Sequence, residues 1–75
     1  MSDHIEQRPM RGQMYRHHTG RVYEIICIAR EEDLGVDFVI HRGLHDGRTW
    51  ARSLANFNGV KNEQRRFVIA PRNHE

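Results

Sequence analysis

An all-β fold, a small five-stranded SH3-like barrel with one short helical turn before its last strand, is predicted by three features of this chain. Its apolar runs are short and rich in branched and aromatic residues, turn signals separate them, and they recur at close spacing. Seventy-five residues hold a single small domain, which buries only about 60% of its unfolded surface. A barrel closes its own edges, which suits a chain too short to cover a sheet with helices. The competing five-stranded OB-like barrel wants a longer helix between its third and fourth strands, and none is present.

Residues 1–11 are polar, contain Pro9 and lack periodicity, so they read as a flexible tail. The domain proper spans residues 12–71, and residues 72–75 form a second flexible tail. The first strand covers Gln13 to His18 and breaks at Thr19-Gly20. A second runs from Arg21 to Arg30 with both faces largely apolar, the pattern of a central strand covered on both sides. Glu31 to Gly35 makes a solvated turn. The third strand, Val36 to Arg42, alternates Val36, Phe38 and Ile40 against Asp37, Val39 and His41, and the first set is expected to face the core. Asp46-Gly47 tolerates the positive φ values of a tight hairpin. The fourth strand is Arg48 to Arg52. Ser53 caps one helical turn over Leu54 to Phe57, which Asn58-Gly59 ends. The last strand runs from Arg66 to Ala70, where Pro71 stops it.

Composition narrows the function classes. With 37% hydrophobic and 29% charged residues, the chain is lean but too apolar for disorder. No apolar run approaches the roughly 20 residues that span a bilayer, and the N-terminus lacks a signal-peptide core. A cytoplasmic domain without a membrane partner is expected. The single cysteine, Cys27, leaves no internal disulfide and no cysteine-based zinc motif, and it reads as an inert buried thiol.

The net charge is only +2, yet eleven of the twelve basic residues are arginine. Arginine forks onto carboxylates and phosphates and stacks on bases. Glu31, Glu32, Asp33 and Asp37 crowd together, whereas residues 38–75 carry seven basic and three acidic side chains. That asymmetry permits a positive face for phosphate-bearing partners, short of the dense basic stripe of a committed DNA binder.

The six histidines make a weak metal signal. His17 and His18 are adjacent in a strand and point to opposite faces, and His41 and His45 approach across a turn without a fixed carboxylate. No metal or cofactor is expected. Catalytic signals are equally sparse: no G-x-S-x-G, P-loop or G-x-G-x-x-G is present, and the carboxylates cluster in one turn. A minimal hydrolase or nuclease using His17 is the third-ranked reading.

The arginine and aromatic pattern carries more. Arg48, Trp50 and Arg52 share one face of the fourth strand, Arg42 ends the Phe38–Ile40 stripe, and Tyr15 shares a face with His17. An arginine at the end of a core stripe is costly without a partner, so it pairs with an acid, snorkels outward or awaits an anion. Glu24 and Asp37 are the acids able to satisfy Arg42 or Arg52.

The order of these residues resembles the domain of unknown function 1653 family of small bacterial and phage proteins. Tyr15-Arg16-His17-His18-Thr19-Gly20 matches its opening Tyr-x-His-x-x-Gly, and Tyr23-Glu24-Ile25-Ile26 its Tyr-Glu followed by apolar residues. His41-Arg42-Gly43-Leu44 matches an aromatic-Arg-x-Leu block with histidine in the tyrosine position. Trp50 to Phe57 matches Trp-x-Arg-Pro-Leu-x-x-Phe with Ser53 in place of proline. Arg66-Phe67-Val68-Ile69 matches the ending, short by one position. The resemblance covers Gln13 to Ile69 and implies that Tyr15, His17, Arg42, Trp50, Arg52 and Phe57 belong to a shared signature.

The first functional expectation is a non-enzymatic binding module presenting an Arg/His/aromatic rim to a nucleotide or nucleic acid. Arg42 and Arg52 contact the anion, Trp50 or Tyr15 stacks, His17 donates a hydrogen bond, and Phe57 completes the ligand-binding set. The family's occurrence in phages implies a version that sequesters a host nucleotide signal. The alternative is a protein-interaction adaptor or homodimer acting through an aromatic groove.

Overall fold

The structure, a computed structural model, describes residues 7–61 and 64–70. It is all-β with one short helix. The elements in chain order are β1 (Met14–His17), β2 (Val22–Glu31), β3 (Val36–Gly43), β4 (Thr49–Ser53), α1 (Leu54–Phe57), β5 (Val60–Lys61), β6 (Gln64–Arg65) and β7 (Phe67–Ala70). Five strands form one antiparallel sheet in the order β4-β3-β2-β1-β7, and β5 and β6 form a separate ribbon.

Local chemistry sets the boundaries. Gly47 takes φ +70° in the β3–β4 connection, a conformation costly for residues with a Cβ. Ser53 Oγ accepts the Asn56 backbone N–H at 3.1 Å, capping the single turn of α1. That turn places Leu54 and Phe57, three residues apart, on the same side, and both are buried.

The core comprises Tyr15, Ile25, Val39, Leu54, Phe57 and Phe67. The Phe57 and Phe67 rings stack at 4.2 Å with an interplanar angle of 8°, and Tyr15 meets Phe57 edge-on at 5.2 Å. Aromatic pairs of this kind add about 0.5–1.5 kcal/mol beyond their area burial. One helical turn and three rings thus supply what a longer helix supplies in a larger domain.

Four expectations need correction. The sheet is not closed: among the described residues no backbone pairing joins β4 to β7, so the barrel is an open, five-stranded sheet. The parity of β3 is reversed, because Val39 and His41 are buried on the core side. Phe38, Ile40 and Arg42 share the outer face with Ser53, Ala51 and Thr49, their partners across the β3–β4 ladder. A register shift between Ile25 and Cys27 accommodates one extra residue in β2, and such a bulge moves every following side chain to the other face. Cys27 accordingly stands exposed on the outer face rather than buried. β2 is covered on one side only, with Cys27 and Ala29 exposed on its outer face.

Residues 7–11, expected as part of the flexible tail, lie against the body. The Gln7 backbone N–H donates to Asn58 Oδ1 at 2.6 Å, and Asn58 Nδ2 returns a bond to the Gln7 carbonyl at 2.9 Å. Gln7 Nε2 reaches the Phe67 carbonyl at 3.1 Å, and Pro9 is buried. The remainder of that tail and the expected tail at 72–75 lie outside the described residues. Among the described residues no helix is long and apolar enough to cross a membrane.

Candidate functional site

A cleft of about 460 Å3 opens where the sheet fails to close, and every strand of the sheet contributes to it. β1 supplies His17, β2 Tyr23, β3 His41, β4 Trp50 and Arg52, and β7 Phe67; Thr19 and Arg21 come from the β1–β2 turn. Cross-strand register explains the grouping: Trp50 lies opposite His41 and Arg52 opposite Val39, so all four point to the same face.

The floor is aromatic. Phe67 contacts His17 at 4.8 Å, His41 at 5.7 Å and Tyr23 at 5.9 Å, all edge-on. Trp50 stands at the rim, 45% exposed. Arg52 spans the opening with its guanidinium carbon 5.5 Å from the Phe67 centroid, and its Nη1 donates to Asn56 Oδ1 at 2.6 Å.

No carboxylate lines the cleft among the described residues. The acids named from sequence are engaged elsewhere. Glu24 holds Arg42 at 2.7 Å on the outer face, and Asp37 pairs with Arg30 at 2.9 Å and Arg8 at 3.4 Å. Arg52 therefore faces a neutral amide.

The electrostatics follow. His17 is pushed down to about 4, first by desolvation and then by His18, Arg52, Arg66 and His41 around it. Its Nδ1 accepts the Thr19 backbone N–H at 3.3 Å, with Thr19 Oγ1 2.9 Å away, which suits a neutral ring. His41 is also lowered, again by desolvation first, against the opposing pull of the Val39 carbonyl 3.0 Å from its Nδ1. Arg52 is lowered by desolvation and by Arg66. Arg66 Nε is itself buried with no hydrogen-bond partner among the described residues. Burial and neighbouring cations thus disfavour the charged forms of His17 and Arg52, and burial that of His41.

Of the six residues singled out from sequence, the cleft brings together His17, Trp50 and Arg52. Tyr15 and Phe57 are buried beneath it, 3% and 0% exposed, and burial raises the Tyr15 phenol. Arg42 lies on the opposite face in its pair with Glu24. Thr19, Arg21, Tyr23, His41 and Phe67 were missed. The odd-numbered positions 17, 19, 21 and 23 carry a partial signal, since they continue the face shared by Tyr15 and His17. Phe67 and His41 gave none, because their place depends on how distant strands pair. Among the described residues no three histidine, cysteine or acidic side chains converge as a metal site.

No curated protein and no solved structure matches the chain. The model of one family, described as a protein of unknown function (DUF1653), matches residues 13–69 and takes in the whole cleft, and the chain belongs to that family.

Proposed function

We propose that the chain is a non-enzymatic binding module whose cleft holds a phosphate-bearing ligand, a nucleotide or a strand of nucleic acid. The observation that carries this reading is that, among the described residues, no carboxylate lines the cleft around Arg52 and Arg21. An arginine fork next to a neutral amide keeps donors free for a phosphate. Trp50 at the rim offers its ring to a base, and the Thr19 and His17 side chains offer hydrogen-bonding groups. The cleft volume lies within the range of small-molecule sites. The bent five-stranded sheet, with a helical turn after β4, supports reading the fold as an SH3-like barrel with an open β4–β7 seam.

Thermal unfolding of the wild type and Arg52→Ala against mono-, di- and cyclic nucleotides tests the reading. A ligand at 100 times its dissociation constant adds roughly 2.7 kcal/mol, a shift of roughly 10 °C or more for a domain of this size. The shift is expected in the wild type and is at most about half as large in Arg52→Ala. Equal shifts in both proteins, or none in either, contradict it.

A second reading, a protein-interaction adaptor, is favoured by a shallow apolar depression of about 300 Å3 on the outer face, bordered by Ala29, Phe38, Ile40 and Ala51. Added salt separates the two, since phosphate contacts weaken steeply while an apolar contact barely responds.

A further inference from the structure

We propose that the ligand is a single-stranded oligonucleotide whose successive phosphates occupy two adjoining basic clefts that meet at His17. This inference rests on the phosphate-binding reading above and extends it along the surface. The second cleft, of about 450 Å3, is lined by Arg16, His17, His18, Gly20, Arg65 and neighbouring residues of β6 and β7. His17 is a wall of both clefts, and its ring lies 4.2 Å from that of His18. Thr19 belongs to the first cleft and Gly20 to the second, so the track turns the corner of the sheet at the β1–β2 turn.

Three features select the ligand class. Like the first cleft, the second has no carboxylate among its described lining residues, and the exposed Arg16 there continues the charge of Arg52 and Arg21. Two such clefts sharing His17 as a wall suit a ligand with more than one phosphate. Apolar and aromatic surface also flanks the track at both ends, Trp50 at 45% exposure and Val68 at 48%. Bare polyphosphate leaves that surface unused, whereas the bases of a strand have faces to lay on it. Finally, the one helix among the described residues is four residues long and buries Leu54 and Phe57 in the core. Among the described residues no helix is therefore offered to a duplex groove.

Calorimetric titration with thymidine monophosphate and with a thymidine tetranucleotide tests this directly, using the wild type and the Arg16→Ala/His18→Ala double variant. Both substituted positions are exposed, so the variant folds. The tetranucleotide is expected to bind at least roughly tenfold tighter than the monophosphate, with a salt dependence steeper by about 0.7 per added phosphate contact. The double variant loses that gain and keeps its affinity for the monophosphate. A tetranucleotide that binds no tighter than the monophosphate overturns the inference, as does a gain that survives in the double variant. Tripolyphosphate matching the tetranucleotide also overturns it. Failure of every probe to bind the wild type removes the phosphate-binding reading itself, a separate outcome.

Discussion

Arg52 on β4 carries its guanidinium 5.5 Å from the centre of the Phe67 ring on β7, bridging by side chain the two edge strands that, among the described residues, no backbone pairing joins. The contact is worth about 0.5–1 kcal/mol where partly exposed, and the bond to Asn56 a further ~1 kcal/mol. Arg52→Ala is therefore expected to lower stability by roughly 1–2 kcal/mol, a folded protein by circular dichroism, while phosphate binding falls at least about tenfold. Arg52→Lys keeps the charge but loses the fork, so its affinity lies between the two.

Arg42→Ala supplies the contrasting case. Its pair with Glu24 is 2.7 Å long but exposed, and exposed pairs contribute about 0–1 kcal/mol. Urea unfolding should register a loss within that range, and ligand titration should give the wild-type affinity. A tenfold loss of binding in this variant places the site on the wrong face of the sheet.

Phe57→Ala removes a fully buried ring from the Tyr15–Phe57–Phe67 cluster. Such truncations cost about 3–5 kcal/mol, most of the stability of a small domain. The variant is expected to be largely unfolded at 37 °C, with its amide proton spectrum collapsed. Tyr15→Phe, which keeps the ring, should fold and bind ligand normally.

Acid sensitivity follows from His17. Its folded value of about 4 lies below its ordinary 6.5, so between those values the unfolded chain binds more protons than the folded one. Stability is then complete above about pH 6.5 and is lost as the pH falls towards 4. His41 is shifted the same way and adds to the trend. Urea midpoints at pH 7.5 and pH 5 should show a drop in the wild type and a smaller drop in His17→Gln. Equal drops in both proteins assign the acid sensitivity to other groups.

The five strands of the main sheet and the capped turn were legible because their signals are local, whereas the two-residue strands β5 and β6 were not expected. A continuous apolar run marked β2, alternation marked β3, Asp46-Gly47 marked the hairpin, and Ser53 with Leu54 and Phe57 marked the helical turn, all within a few residues of the observed bounds. The inward face of β3 was not legible. Phe38 and Ile40 look more core-like than Val39 and His41, and the choice is made by the bulge in β2 and by which face α1 covers. That reversal placed Arg42 on the outer face and left Arg52 in the cleft. The second basic cleft was hidden for a related reason: Arg16 and Arg65 are far apart in the chain, and only the antiparallel return of β7 beside β1 brings β6 close to the β1–β2 turn.

The most direct measurement is a nuclear magnetic resonance titration that follows the Trp50 indole N–H and the Arg52 guanidinium Nε–H against thymidine monophosphate and thymidine side by side. The monophosphate should move both resonances saturably, and the nucleoside without a phosphate should leave Arg52 unmoved. Equal responses to the two compounds, or shifts confined to Arg42 and the outer face, would contradict an anion site in the cleft.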